Sequence, residues 1–264
     1  MRVSAGLPTG MEGLTYPIPF SDPENVIRIA QAAEKFGYDS VWGNDHMTTQ
    51  NYVRAEFPVP PRFWEPLVTY AFVLSETRKI KVGTGVLVLP MRHDIVVTAK
   101  QIATLDHFGK GRLEVGVGIG AYREEFKALQ PDAKLDRGDI VDEGLQALNL
   151  LFGQRVASFE GRYYKFRDVE LYPKPLQKRV PLYVGGNNFN NITRTVKWAD
   201  GWLPAGIHVD RVREGVKLMR EECARIGRDP ATVEVAPQFV VHVGKTREVA
   251  IERFRQSQMN KHLV

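Results

Sequence analysis

The sequence predicts an α/β protein whose parallel strands curl into a (β/α)8 (TIM) barrel. Short apolar strands alternate with helices of 3.6-residue apolar period along the 264-residue chain. Strands joined through helices form a parallel sheet with right-handed crossovers, which leaves an open doubly wound sheet or a closed barrel. Glycine or polar residues follow four of the strands, and a barrel carries its site at those carboxyl ends. This third observation favours the barrel.

Seven strand-and-helix units follow one another in order. The predicted strands lie at residues 2–8, 38–43, 79–90, within 113–126, and at 181–186, 200–206 and 232–243. The first helix has Asp22 as a capping residue, Pro23 in its first turn and Gly37 at its end. Asp94 caps the helix after the third strand, and Gly109 ends it. These residues mark where the first helix and the helix after the third strand begin and end.

The later helices and two long segments complete the prediction. One helix runs from about 138 to 152, and another over 210–227 carries an apolar stripe that includes Cys223. A stripe of this spacing indicates a packed core thiol and not a nucleophile. Residues 46–66 are too long for a plain loop and are expected to form an ordered segment over a site. Residues 155–180 are expected to form a hairpin insertion.

A closed barrel normally has eight units, and this chain has seven. We therefore expect one barrel domain over residues 1–264 from which the eighth βα unit is missing. The expected consequence is a gap between the seventh and first strands, or a partner chain that covers it, because an unpaired edge invites pairing. We accordingly expect a homodimer.

Composition limits the function classes. The formal net charge is +5, and no block of Lys and Arg is interleaved with aromatic residues. This pattern argues against nucleic acid as a partner and suits an anionic small ligand. One cysteine, no ligand-like histidine spacing, no signal peptide and no membrane-length apolar run are present. We expect a cytoplasmic protein without a metal site or a membrane partner.

The fourth strand carries a glycine cluster that matches the dinucleotide-binding pattern G-x-G-x-x-A at Gly116, Gly118 and Ala121. That fingerprint belongs at the first strand-to-helix turn, with an acidic residue about 20 positions on, at the tip of the next strand. Here the cluster follows the fourth strand, and Asp132 and Asp136 lie in a loop and at a helix start. The cluster therefore indicates a tight turn at the carboxyl-terminal rim of a barrel, where the backbone approaches a ligand closely.

Several segments together resemble the bacterial luciferase-like superfamily and, within it, the branch that uses the deazaflavin coenzyme F420. The match rests on "SVWGNDHM", "VGTGVLVLPMRHDIVVTAKQIATLDHFGKGRLEVGVGIGAYREEF", "FEGRYYKF" and "PLYVGGNN", followed by "ADGW". Members are (β/α)8 barrels with an insertion, which agrees with the fold predicted above. The resemblance also implies a cis peptide bond between Gly85 and Val86 that props the cofactor ring.

The resemblance, together with the strand ends, suggests the site residues. His46 is the catalytic candidate, because an imidazole accepts or donates a proton near neutral pH as a hydride moves. Asp45 is expected to fix its tautomer or to contact the cofactor ring. The residues expected to bind the cofactor are Asp45, Thr84, Gly85, Val86, Gly118, Ile119, Gly120, Gly185, Gly186 and Asn187. The last three precede a helix whose free N–H groups suit the phosphate of the cofactor.

The resemblance implies an F420-dependent oxidoreductase that moves a hydride between deazaflavin C5 and a small organic substrate. Two alternatives stay open: a monooxygenase that uses reduced FMN and oxygen, and a non-catalytic flavin- or deazaflavin-binding protein. In family members that act on sugar phosphates, a glutamate beside the fourth-strand glycines donates the proton. Ala121 stands at that position here, which argues against sugar phosphates.

Overall fold

The structure is a computed structural model that describes residues 1–132 and 134–263. In chain order the strands are β1 (Ser4–Gly6), β2 (Ser40–Gly43), β3 (Lys81–Val88), β4 (Leu113–Gly118), β5 (Ala157–Glu160), β6 (Lys165–Val169), β7 (Leu182–Gly185), β8 (Gly201–Leu203) and β9 (Glu234–Val235). Seven of them form one sheet in the order β1-β2-β3-β4-β7-β8-β9, and all neighbours are parallel. The predicted alternation of strand and helix is confirmed.

Helices follow the strands, as the alternating pattern predicts, and a further short helix lies within the long segment at residues 46–66. They are α1 (Pro23–Lys35), α2 (Asn51–Glu56), α3 (Pro66–Glu76), α4 (Ile95–Phe108), α5 (Arg123–Leu129), α6 (Arg137–Gly153), α7 (Asn190–Trp198), α8 (Val209–Ile226), α9 (Arg247–Arg255) and α10 (Gln258–Leu263). Asp22 and Asp94 cap α1 and α4 by accepting bonds from first-turn N–H groups. Gly37 follows α1 with a φ of +79°, a conformation that glycine adopts without strain.

The sheet curls, as expected for a barrel-type protein. The Trp42 ring of β2 meets the Tyr183 ring of β7 edge to face at 5.3 Å, although β3 and β4 separate these strands in the sheet. Strands so far apart in a flat sheet do not exchange such a contact. Within the described residues β1 and β9 are the two edges, with no backbone pairing between them. The expected gap between the seventh and first strands is therefore present.

The main core lies on one face of the sheet, where alternate strand residues pack against α1, α3, α4 and α6. The carboxyl-terminal part of the sheet has its own cluster, in which Trp202, Met219 and Cys223 are buried. Burial raises the pKa of the Cys223 thiol and keeps it in its neutral form. The prediction that Cys223 is a core residue is confirmed.

The structure confirms one predicted element, the hairpin insertion, and shortens another, the seventh strand. The insertion forms an antiparallel hairpin of β5 and β6, as expected. The seventh predicted strand was too long: only Glu234–Val235 pairs as a strand, and one further bridge joins Gln238 to Ala205. Its neighbour β8 offers three residues for pairing, and Pro237 has no N–H to donate.

No helix in the described ranges has both the length and the apolar character needed to cross a lipid bilayer.

Candidate active site

The carboxyl ends of four strands meet at one end of the sheet. Their parallel pairing brings the segments after β2, within and after β3, after β4 and after β7 to the same level. We call this end the mouth and define it by residues 44–46, 85–86, 118–120 and 185–187. Every residue that the sequence analysis assigned to the site lies in these segments, except Thr84, which immediately precedes one of them.

Val86 occupies the centre of the mouth. The peptide bond between Gly85 and Val86 is cis, as predicted, and the Asn44 side chain donates to the Gly85 oxygen at 3.0 Å. A Cβ atom on Gly118 would lie 2.7 Å from Val86 Cγ2, and one on Gly185 only 2.2 Å from Val86 Cγ1. Glycine is thus required at both positions because the Val86 side chain packs directly against these strands.

Thr84, which immediately precedes the cis peptide, joins β3 to β4. Its side chain is fully buried, and its hydroxyl donates to the Gly116 oxygen at 2.7 Å. A Cβ atom on Gly116 would stand 2.2 Å from the Thr84 oxygen. At Gly116 the backbone of β4 closely approaches that of β3, and the approach of this cluster to a ligand stays a prediction.

Asp45 is buried and belongs to an ionic cluster beneath the mouth. Its oxygens accept from Val88 N at 2.9 Å and from Arg92 Nη2 at 2.9 Å, and Arg92 also contacts Glu65 at 2.8 Å. Burial raises the pKa of Asp45, against the opposing effect of Arg92. Within the described residues the hydrogen bonds of Asp45 go to Val88 and Arg92 and none goes to His46, while the expected contact of Asp45 with the cofactor ring stays a prediction.

His46 has other partners at its Nδ1 atom. Glu125 Oε2 lies 3.1 Å from Nδ1, and Gln50 Nε2 lies 2.9 Å from it. The imidazole stands between the rings of Phe63 and Tyr122, at centroid distances of 5.3 and 5.7 Å. Its side chain is 16% exposed. Within the described ranges no hydrogen bond reaches Nε2, so this nitrogen is the one left for a ligand.

Glu125 is the site residue that the sequence analysis missed. It lies in α5, beyond the glycine turn, and only 1% of its surface is exposed. Besides His46, its carboxylate accepts from Met47 N at 3.2 Å and from Thr48 N at 3.5 Å. The motif "REEF" showed two glutamates at a helix start, but nothing in the local pattern distinguishes the buried one from its neighbour Glu124.

The turn after β4 is partly exposed and is braced by an arginine. Gly120 has a φ of +74°, and a Cβ atom there would meet Phe126 at 2.7 Å. Arg137 donates to the oxygens of Ile119 at 3.3 Å and Gly120 at 2.8 Å. The backbone of this turn is therefore held in one conformation by the residues beneath it.

The turn after β7 is held in the same way by β8. Trp202 Nε1 donates to the Gly186 oxygen at 3.0 Å, and Gly186 has a φ of +120°. The Asn187 carboxamide both donates to and accepts from the Ala205 backbone, at 2.8 and 2.9 Å. Helix α7 follows at Asn190.

The first N–H groups before α7 point to no protein acceptor. No bond to the backbone N–H of Asn187, Asn188 or Phe189 is found in residues 1–132 and 134–263. Phe189 caps the helix without a side-chain hydrogen bond. These groups are the ones that the sequence analysis expected to meet a phosphate.

Burial divides the predicted site residues into two groups. Four are buried and support the frame: Asp45, Thr84, Gly118 and Gly185. Seven retain exposed surface at the mouth: His46, Gly85, Val86, Ile119, Gly120, Gly186 and Asn187. The second group can contact a ligand without rearrangement of the chain.

Gln238 adds a polar group that the sequence analysis did not select. A Cβ atom on Gly85 would lie 2.9 Å from Gln238 Nε2, so this carboxamide stands beside the cis peptide. The bridge between Ala205 and Gln238 carries it there from beyond β9. No group of three or more metal-ligating side chains is found in the part of the chain that the structure describes.

The sequence profile described as "Luciferase-like monooxygenase" matches residues 1–263. The chain belongs to this family. An uncharacterized protein of Mycobacterium tuberculosis is 36% identical over 174 residues, which are 64% of this chain and 59% of that protein. The chain thus spans less than two thirds of the length of the relatives first matched.

Two further relatives differ in the cofactor that their names specify. An F420-dependent glucose-6-phosphate dehydrogenase of Kineococcus radiotolerans is 26% identical over 88% of this chain and 68% of that protein. An FMNH(2)-dependent dimethylsulfone monooxygenase of Pseudomonas putida is 29% identical over 76% of this chain and 53% of that protein. The family of this luciferase-like protein therefore includes users of both cofactors.

Solved structures support the fold. An F420-dependent secondary alcohol dehydrogenase, in complex with an F420-acetone adduct, superimposes with a TM-score of 0.81 and 23% identity. The alignment covers 97% of this chain and 74% of that chain. At 23% identity, this similarity shows that the two chains share the fold, a curled parallel sheet, and nothing more.

Proposed function

We propose that this luciferase-like protein is an F420-dependent oxidoreductase that moves a hydride between the deazaflavin ring and a small organic substrate. The observation that carries the proposal is His46 at the mouth, with Nδ1 held by a buried carboxylate and Nε2 without a hydrogen-bond partner among the described residues. A histidine in this arrangement is suited to exchange one proton with a substrate.

The residues present fit a flat ring with a phosphate-bearing side chain. The ring would rest against Gly85 and Val86, whose surface is exposed and rigidly supported by Gly118 and Gly185. The phosphate would meet the N–H groups that precede α7, which have no acceptor in the described residues. The fit thus uses a packed surface for the ring and backbone donors for the charge.

When bound, F420 supplies the hydride chemistry at its carbon C5. The protein would handle the proton: His46 Nε2 would accept it from a substrate hydroxyl as the adjacent carbon loses its hydride, and would return it in the reverse direction. Phe63 and Tyr122 flank the imidazole and limit its rotation. One acid–base group of this kind is typically worth about 10²–10⁴-fold in rate.

The substrate we propose is a small neutral molecule and not a sugar phosphate. Ala121 occupies the position of the proton-donating glutamate that the family resemblance assigns to sugar-phosphate dehydrogenases. Proton exchange then falls to His46 alone. A homodimer and a cytoplasmic location remain part of this proposal.

A reduced-FMN monooxygenase is the second candidate, and the relative from Pseudomonas putida favours it. Both cofactors present a flat tricyclic ring and a phosphate, so the same mouth suits either. A non-catalytic binding protein is the third possibility, because the frame around Val86 would hold a ring without any proton exchange.

Fluorescence titration with oxidised F420 and with FMN, followed by turnover assays, separates the three. We expect a dissociation constant in the micromolar range or below for F420, at least about tenfold tighter than for FMN, or 1.4 kcal/mol. FMN-preferring binding with oxygen-dependent turnover would support the monooxygenase. Tight binding without turnover of any alcohol or enone tested would support the non-catalytic protein.

A matched pair of glycine variants tests the location of the binding site. Gly120 and Gly227 have nearly the same left-handed backbone, with φ of +74° and +72°, but only Gly120 lies at the mouth. We expect Gly120→Ala to weaken F420 binding by about tenfold or more. Gly227→Ala carries similar backbone strain at the end of α8 and should leave affinity unchanged.

A further inference from the structure

We propose that Glu125 is the positioning residue of this site: its carboxylate selects the tautomer of His46 that carries hydrogen on Nδ1 and presents a bare Nε2 to the substrate. This inference rests on the proposed function only in taking His46 as the proton-transfer residue. The tautomer itself is a property of the protein without any ligand.

The Glu125 carboxylate is placed to accept hydrogen bonds. Only 1% of the residue is exposed, and its oxygens face three nitrogens: the backbone N–H groups of Met47 and Thr48, and Nδ1 of His46. Backbone N–H groups can only donate, and donors stabilise the charged form of a carboxylate. An ionised carboxylate can only accept, so the nitrogen that faces it must carry the hydrogen.

Gln50 makes the competing contact, with Nε2 placed 2.9 Å from the same Nδ1. A donor at that point would require Nδ1 without hydrogen, which conflicts with the carboxylate on its other side. A carboxamide presents either oxygen or nitrogen after a half-turn, whereas a carboxylate has no donor to present. Glu125 therefore determines the tautomer and Gln50 adapts to it.

The tautomer determines whether His46 Nε2 can accept a proton or can only donate one before any ligand binds. With hydrogen on Nδ1, Nε2 is a lone pair at the mouth and can take a proton from a hydroxyl substrate. The imidazolium that forms then gains a charge-assisted bond to Glu125 at 3.1 Å. The opposite tautomer would present an N–H and could act only as a donor.

The same carboxylate also fixes the start of the segment that follows His46. Through Met47 N and Thr48 N it ties this segment to α5, beside the turn of Ile119 and Gly120. The imidazole is thus held at its ring nitrogen and through the two backbone positions after it. Both restraints come from one side chain, which accounts for the nearly complete burial of Glu125.

The test is nitrogen-15 NMR of the histidine ring, recorded at about pH 8.5, where an ordinary imidazole is neutral. The His46 signals are assigned by their loss in His46→Gln. We expect the wild type to show a protonated Nδ1 and a bare Nε2, and Glu125→Gln to show a mixture or the opposite tautomer. Glu124→Gln is the matched control, because Glu124 bonds Asn51 N and does not contact His46.

Results of two kinds, from the wild type or from the variants, would overturn the proposal. One is a wild-type spectrum with hydrogen mainly on Nε2, which needs no variant and so does not depend on Glu125→Gln folding. The other is a folded Glu125→Gln protein with an unchanged tautomer, or a Gln50→Leu protein in which the tautomer reverses.

Activity gives a second measurement. With the cofactor and an alcohol that the wild type oxidises, Glu125→Gln should lower kcat by at least about 10²-fold, since an amide in place of an orienting carboxylate favours the wrong tautomer. KM should change little, and Glu124→Gln should retain wild-type kcat. If no substrate is ever turned over but the tautomer follows Glu125, the proposed function fails and the positioning role stands.

Discussion

The two ends of the curled sheet both carry polar residues, but at one end the charged side chains bond one another, although Glu114 Oε2 is buried there without a hydrogen-bond partner among the described residues. At the opposite end from the mouth, which we call the floor, five side chains bond one another. They are Arg2, Lys81, Glu114, Tyr183 and Glu234. The floor joins residues at the start of five strands across the inside of the sheet.

At the floor the charges meet protein partners. Glu114 is 1% exposed, and its Oε1 accepts from Arg2 at 2.6 Å and from Lys81 at 3.1 Å. Burial and the Glu114 charge raise the pKa of the Tyr183 hydroxyl, which donates to Glu234. At the mouth, by contrast, His46 Nε2 and the N–H groups before α7 have no partner within the described residues. The difference suggests that the floor stabilises the sheet and the mouth performs chemistry.

The largest expected effect is at His46. His46→Ala should lower turnover by about 10²–10⁴-fold, because it removes the acid–base group. F420 affinity should stay within about threefold, since the phosphate and ring contacts lie elsewhere. His46→Gln keeps a hydrogen bond but exchanges no proton, so it should be nearly as slow. Titration and steady-state assays on the same preparations check both expectations.

The glutamine variant decides what kind of residue His46 is. Recovery of most of the activity in His46→Gln would make it a positioning residue. Loss of cofactor affinity in both variants would make it a binding residue and would remove the contrast with the floor.

The intermediate effect is at the floor and concerns stability. Glu114→Gln removes a buried charge that two cations share, and we expect the free energy of unfolding to fall by about 1–3 kcal/mol. Turnover and F420 affinity should not change, because the floor lies at the far end of the sheet. Urea unfolding and the standard assay measure the two quantities.

Glu160→Gln is the control for this floor variant, because Glu160 pairs with Lys165 on the exposed hairpin. A solvated pair of this kind contributes little, so no change in unfolding is expected. A floor variant that lost activity while remaining folded would contradict the division of roles between the two ends.

The fold could be predicted because its signals are local. Strand length, helix periodicity and the caps Asp22, Asp94 and Gly37 are all legible within one unit. Parallel pairing then follows from the connections alone. The seventh strand was overextended because its length depends on how many residues β8 offers, and this is a property of the neighbour.

The site could be predicted only where its residues follow strands directly. His46 was identified from its place after β2, whereas Glu125 contacts it from 79 residues further along the chain. Gly118 and Gly185 were selected as cofactor-binding residues, which stays a prediction, and in the structure a side chain packs closely against both. What approaches them is Val86 of a third strand, and no pattern within either segment contains that information.

The smallest effect is expected on the pH dependence of unfolding. It concerns Glu12 and Glu34, two carboxylates that stabilise loops at opposite ends of the sheet. Glu12 lies in the loop after β1, is buried, and accepts from Phe20 N at 2.7 Å, Ser21 N at 2.8 Å and Arg62 N. That loop contacts the site, since a Cβ atom on Gly10 would lie 2.8 Å from His46 Cδ2. The loop over the mouth is thus tied to the segment before α3.

Glu34, near the floor, has the same chemistry: it accepts from the backbone N–H groups of residues 78–80. Burial alone would raise the pKa of either carboxyl group, but in each case three N–H donors outweigh it and lower the pKa. A carboxyl group with a depressed pKa in the folded state adds stability above its unfolded pKa. This stability is lost as the pH falls through the folded value.

Glu12→Gln and Glu34→Gln should therefore each make the acid limb of the unfolding free energy shallower. Each variant removes at most one linked proton, so the slope changes by no more than about 1.4 kcal/mol per pH unit. Urea unfolding at a series of pH values between 3 and 7 measures this slope. Only Glu12→Gln should also lower turnover, because only Glu12 holds a loop that touches the proposed acid–base group His46. Equal losses of turnover in the two variants would mean that the floor and the mouth are coupled, contrary to the separation argued from their hydrogen bonds.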